Sequence, residues 1–195
     1  MRELTAQGDV PEWNRPPGRI DVPAVEDSAP APGRRVRYRL PGDATTGIYS
    51  VLNLPEDWQP GKQYPVIVEY PGNIFFAPAC YSTGLPDQCV IGYGMTKGKH
   101  AICLGMPFVD HTAGKLAENG WGNVGDTADY VMRMVAEVCE KFGGDRGNLV
   151  LTGFSRGAIA CGYIGLREVT DAQTAKADDC IPDRLPGTHP YHSGV

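Results

Sequence analysis

Asn148-Leu149-Val150-Leu151-Thr152-Gly153-Phe154-Ser155-Arg156-Gly157-Ala158-Ile159-Ala160-Cys161-Gly162-Tyr163-Ile164-Gly165-Leu166 is the stretch on which the fold turns. Its first part is a short apolar run that follows the turn residues Gly143, Gly144 and Gly147, the pattern of a strand buried in a sheet. Its last part, rich in small residues, reads as a helix. Between them stands G-x-S-x-G, Gly153 to Gly157, in the strand–turn–helix context that this motif requires. Given the glycine and serine content, chance supplies only about 0.08 such pentads in a chain of this length. The chemistry explains the spacing. A serine hydroxyl is a poor nucleophile until a tight turn projects it toward a base. Such a turn crowds the backbone, and glycines two before and two after the serine remove the side chains that would clash. The helix N-terminus beneath it offers N–H groups to a developing oxyanion. Ser155 is therefore the expected nucleophile. Gly162 and Gly165 each cost roughly 1 kcal/mol in a helix interior, an expense that close packing of this helix on the sheet would offset; the alternative is that they mark a weak helix.

Working backward, Val131, Met134, Val135, Val138 and Phe142 recur at i, i+3, i+4, i+7 and i+11, one face of a helix. Asp126 is placed to cap it, Asp129 suits its first turn and Gly143-Gly144 ends it. Upstream, Ala101–Leu104 and the run Pro65-Val66-Ile67-Val68-Glu69-Tyr70 read as buried strands. Residues 71–98 and 105–125 read as long loops. Arg34–Leu40 alternates, with Val36, Tyr38 and Leu40 on one face, and a Pro-Gly-Asp turn leads to a second strand within 45–55, so the two resemble an antiparallel hairpin. Strand, helix, strand, helix in this order predicts an α/β fold, a mostly parallel sheet with helices on both faces. Residues 1–33, with Pro11, Pro16, Pro17, Pro23, Pro30 and Pro32 and little periodicity, read as a loose arm; 34–195 form the domain.

The chain has 195 residues and a net charge of −5, with no basic stripe, which argues against a nucleic-acid partner. No apolar run reaches the roughly 18 residues that would span a bilayer, and the first residues hold no apolar signal core. The expectation is a cytoplasmic protein, or a secreted or periplasmic one if the N-terminus is incomplete. No C-x-x-C pair occurs among the six cysteines, so a zinc or redox motif has no support. Cys103, Cys139 and Cys161 sit in apolar patterns as small hydrophobes. Cys80 and Cys89 flank a Gly/Pro-containing loop, and a disulfide between them is one open alternative.

Two longer stretches carry a resemblance. Tyr49–Asn73, YSVLNLPEDWQPGKQYPVIVEYPGN, and Cys139–Ala160, CEKFGGDRGNLVLTGFSRGAIA, resemble esterase-type α/β-hydrolases, including acetylxylan and feruloyl esterases and the depolymerases of bacterial polyesters. The similarity runs over about Arg34–Arg167. It implies an α/β-hydrolase fold, hydrolysis of a small-molecule or polysaccharide-linked ester through an acyl-enzyme, and neither metal nor organic cofactor. The family's His-Gly-Gly stands here as Pro71-Gly72-Asn73. By position the backbone N–H of Asn73, paired with that of Arg156, forms the oxyanion hole.

In that family the acid and histidine follow the serine across further strands, whereas 40 residues follow Ser155 here. They contain Asp171, Asp178, Asp179, Asp183, His189 and His192 in a turn-rich context. The expectation is a chain that lacks the C-terminal part of the fold, with the true acid and base missing. The rival makes His192, or His189, the base of a shortened fold. Two other functions stay open: a serine peptidase on the same fold, and an inactive remnant.

Other residues have two readings each. Asp110-His111 either lines the pocket or is a solvated loop pair, and without a third ligand makes no metal site. His100 reads as a strand-boundary residue. Trp121, Tyr81, Phe75 and Phe76 are aromatic walls for a substrate or packing residues. The Arg156 side chain either grips a substrate anion or pairs with a carboxylate.

Overall fold

A computed structural model describes residues 21–77 and 80–166. In chain order the strands are β1 (Val25–Glu26), β2 (Arg35–Tyr38), β3 (Ser50–Asn53), β4 (Tyr64–Tyr70), β5 (Phe75–Ala77), β6 (Cys80–Ser82), β7 (Ile102–Gly105), β8 (Val109–Asp110), β9 (Lys115–Leu116) and β10 (Gly144–Gly153). The helices are α1 (Ile91–Thr96), α2 (Val124–Phe142) and α3 (Arg156–Leu166).

Six strands form the central sheet in the order β1-β2-β3-β7-β4-β10. The hairpin expected from alternation is present: β2 runs antiparallel to β3, with Val36 opposite Leu52. β3 is antiparallel to β7. From there the sheet is parallel, β7 beside β4 and β4 beside β10, with Val66 opposite both Ile102 and Leu149. β4 is buried from Val66 through Tyr70, as a strand covered on both faces must be. Val66, Val68 and Tyr70 join the core formed with Val131, Met134, Val135 and Val138 of α2 and Ala160, Cys161 and Ile164 of α3. Ile67 and Glu69, one position out of phase, meet the other layer. Gly92 of α1 lies against Ile67, and both oxygens of Glu69 accept N–H groups of the α1 start, from Val90 at 2.9 Å and Gly92 at 3.0 Å. Burial pushes the Glu69 carboxyl up from its usual range. The architecture is thus α/β with a mostly parallel sheet and helices on both faces.

Apolar spacing rather than helix propensity holds α2. Thr127, Asp129, Tyr130 and Val131 are indifferent helix formers, but burying Val131, Met134, Val135 and Val138 contributes roughly 1.5–3 kcal/mol each. The helix starts two residues before Asp126. Asn123 is the cap, and its Oδ1 accepts the Asp126 N–H at 3.0 Å; Gly143, at φ 74°, closes the other end.

Several expectations change. The long loop after β4 contains the β5–β6 pair and α1, and the loop after β7 contains the β8–β9 pair. Residues assigned to the loose arm take part in the sheet: Val25 and Glu26 pair with Arg35 and Val36, and the Gly33 N–H bonds to the Leu54 carbonyl. The Cys80–Cys89 disulfide is not formed. The Cys89 thiol is free and buried, 3.4 Å from the Glu69 carbonyl that it donates to. Close packing does not explain Gly162, since a Cβ there would meet nothing within 4 Å. No helix among the described residues is long and apolar enough to cross a membrane.

Candidate functional site

β10 ends at Gly153 and α3 begins at Arg156, so two residues make the reversal. Ser155 takes the strain, with φ at 53° in the left-handed region that costs an L-residue roughly 1–2 kcal/mol. The turn closes through Gly157 N–H to Phe154 carbonyl at 2.8 Å and Ala158 N–H to Ser155 carbonyl at 2.9 Å. Both glycines of the motif are sterically required. A Cβ on Gly153 would lie 2.5 Å from the Gly157 carbonyl carbon, and one on Gly157 would lie 2.2 Å from the Tyr70 carbonyl oxygen. Ser155 itself is exposed.

Because β4 and β10 are parallel neighbours, their C-terminal ends reach the same edge of the sheet. Pro71-Gly72-Asn73 leaves β4 beside the turn. The Tyr70 carbonyl accepts the Phe154 N–H at 3.3 Å, and a Cβ on Gly72 would come within 3.1 Å of the Phe154 ring. Arg156 opens α3, so its N–H has no partner within the helix. The Asn73 side chain is engaged elsewhere, its Oδ1 accepting the Gly120 N–H at 3.0 Å.

The Arg156 side chain follows neither expected reading. It is 4% exposed, and its described partners include no carboxylate. Its Nη2 donates to the Gly84 carbonyl at 2.8 Å, and its Nη1 to the carbonyls of Ala117, at 3.1 Å, and Gly120. The guanidinium lies 4.1 Å from the centre of the Phe108 ring, and its Nε is buried without a partner. Burial pushes the guanidinium down to about 10. Nothing in the sequence announces this strut, since its acceptors are backbone atoms of two separate loops. Trp121 is partly buried, edge-on to Phe108 at 5.4 Å and to Tyr163 at 5.6 Å. Phe75 and Phe76 are exposed.

No described contact joins either described histidine to Ser155. His100 precedes β7, at the opposite end of the parallel strands from Ser155, and its Nδ1 is 2.8 Å from Asp57. His111 lies between two carboxylates, Nε2 at 3.5 Å from Asp43 and Nδ1 at 3.6 Å from Asp126, and its ring faces Tyr130. Asp110 caps its own turn, accepting the Ala113 N–H at 2.9 Å. His189, His192 and the four candidate aspartates after Ser155 lie outside the described residues. Among the described residues no cluster of three or more His, Cys, Asp or Glu is arranged to hold a metal ion.

No protein-family model and no curated protein matches the chain. Among solved structures it is similar over part of its length to esterase 2 of the planctomycete Thermogutta terrifontis. The apo form gives a TM-score of 0.43 at 19% identity, covering 66% of this chain and 46% of that one. The propionate-bound form gives 0.42 at 19% identity, covering 64% and 43%. The form phosphorylated by paraoxon gives 0.41 at 16% identity, covering 66% and 48%. The chain spans less than half the length of these proteins.

Proposed function

We propose that this chain carries the nucleophile and oxyanion hole of a serine hydrolase on an α/β-hydrolase fold, acting on carboxylic esters. The observation that carries the reading is Ser155 itself, exposed and held at φ 53° between two glycines that admit no side chain. Strain of this kind persists only where surrounding contacts enforce it, and it gathers where a side chain has chemistry to perform. In this reading the Ser155 Oγ attacks the ester carbonyl. The N–H groups of Arg156 and Asn73 bind the oxyanion, and the alcohol leaves with the proton taken from the serine. Water then releases the acid from the acyl-enzyme by the same route.

No described contact joins His100 or His111 to Ser155: His100 lies at the opposite end of the parallel strands, and His111 contacts Asp43, Asp126 and Arg133. The chain's other two histidines are His189 and His192, and His192 is the proposed base. The experiment treats the full chain with a fluorophosphonate probe, beside Ser155→Ala and His192→Ala, and follows aryl-ester and peptide-anilide hydrolysis in parallel. Labelling that requires Ser155 is the expected result, with any turnover falling on the ester rather than the anilide. Loss of turnover in His192→Ala makes His192 the base, whereas an unchanged rate assigns that role elsewhere. An unlabelled native chain sinks the reading.

A further inference from the structure

The strap Ala117–Trp121 runs past the turn and is tied to both sides of it. On one side Ile74 N–H bonds to the Glu118 carbonyl at 2.8 Å, and the Asn73 Oδ1 accepts the Gly120 N–H at 3.0 Å. On the other, Arg156 Nη1 reaches the carbonyls of Ala117 and Gly120. The backbone of Gly120 is therefore held at its N–H by Asn73 and at its C=O by Arg156, through the peptide groups on its two sides. Those two residues are the ones whose backbone N–H groups form the oxyanion hole in the reading above. The strap has little room to shift on its own. Gly84, whose carbonyl takes Arg156 Nη2, packs so closely on Glu118 that a Cβ would lie 2.1 Å from its carbonyl oxygen, and the Ala117 N–H bonds to the Phe108 carbonyl at 2.8 Å.

We propose that the side chains of Asn73 and Arg156 are positioning residues, which hold the N–H and the C=O of Gly120 from opposite sides and so fix the distance between the two oxyanion donors; the inference rests on the hydrolase reading. Burying a guanidinium with no carboxylate partner is unfavourable. Three carbonyl bonds and an aromatic face offset that cost, and they also tie the first turn of α3 to two loops. Lysine cannot substitute, because a single ammonium lacks the planar fork that reaches acceptors in different directions. At position 73 the requirement is one acceptor oxygen, which aspartate retains and alanine lacks.

The test uses the 195-residue chain. Asn73→Ala should speed amide exchange at Gly120 by about tenfold or more, and Asn73→Asp should restore its protection, because an acceptor returns. In fluorophosphonate labelling of Ser155, Asn73→Ala and Arg156→Lys should lower the maximal inactivation rate by about 10–100-fold, with half-saturation changed less than about twofold. A merely structural role would instead change melting temperature without splitting rate from binding. If Arg156→Lys does not fold, Asn73→Ala carries the test alone, since Asn73 is only partly buried. Unchanged inactivation rates with a reactive native chain would overturn the clamp and leave the hydrolase reading standing. An unreactive native chain sinks that reading, and exchange at Gly120 then still decides whether the clamp exists.

Discussion

Two glycines of α3 make a matched pair. A methyl added at Gly157 meets the Tyr70 carbonyl oxygen at 2.2 Å, the Tyr70 carbonyl carbon at 2.8 Å and the Pro71 carbonyl oxygen at 3.0 Å, all backbone atoms that cannot rotate away. Ordinary contact begins near 3.4 Å, so α3 and the end of β4 must separate by about 1.2 Å (3.4 − 2.2). Overpacking of this kind costs about 1–3 kcal/mol. With a urea dependence of about 2 kcal/mol per molar, Gly157→Ala should lower the unfolding midpoint by roughly 1 M. Gly162→Ala on the same helix faces open space and should raise stability by about 0.5–1 kcal/mol. The separation also carries the Arg156 N–H away from Asn73. Misplacement by about 1 Å is enough for a rate loss of order 100-fold, so Ser155 labelling in Gly157→Ala should fall by about that factor. The assays are urea melts followed by circular dichroism and timed fluorophosphonate labelling of native, Gly157→Ala and Gly162→Ala chains. If Gly157→Ala is as stable and as reactive as the native chain, the close approach of α3 to Tyr70 is wrong, and with it the steric account of the motif.

Ser155→Gly should abolish labelling while raising stability by about 1 kcal/mol in the same urea melt, because glycine occupies φ 53° without strain; a destabilised variant would contradict the strain assignment. Asn123→Ala removes the α2 cap and should cost about 1 kcal/mol, whereas full retention of stability would return the cap to Asp126. Burial pushes the Cys103 thiol up to about 11, so at pH 8 its thiolate population is about 100-fold below that of an exposed cysteine. Iodoacetamide mapping should find Cys103 protected in the folded chain, reacting only as pH approaches 11 or on unfolding; modification at the unfolded-chain rate would refute its burial.

The strands of the central sheet from β2 onward and the long helix are legible in the sequence because each imposes its own period, whereas the two-residue β1 within the proline-rich arm is not. Val36, the run from Val66 to Tyr70, and the face of Val131, Met134, Val135 and Val138 are written in residues that must be buried. The serine turn is legible for a different reason, since Gly153 and Gly157 answer a steric demand that no other residue meets. What escapes is held together by backbone acceptors. Arg156 bonds to carbonyls of residues 84, 117 and 120, and any residue carries a carbonyl, so no side-chain pattern marks the partners. The β5–β6 and β8–β9 pairs are two or three residues per strand, too short for alternation to emerge from Gly-rich surroundings. Gly162 misleads in the other direction: it sits beside small residues that do pack, Ala160 and Cys161, but turns away from the sheet.

The pairing of β10 with β4 has a kinetic consequence. The turn that bends Ser155 looks local, yet it is closed from outside by Tyr70, whose carbonyl bonds to Phe154 and abuts Gly157. Tyr70 and Ser155 are 85 positions apart (155 − 70). Closing a loop of that length is an entropic cost that must be met before any native contact across it repays, and parallel pairings of this separation form slowly. The β2–β3 hairpin can zip early, whereas the bent turn at Ser155 can form only once β10 has docked. A probe of serine reactivity applied during refolding would therefore keep time with the last and slowest phase, and the strained residue would serve as the clock of its own fold.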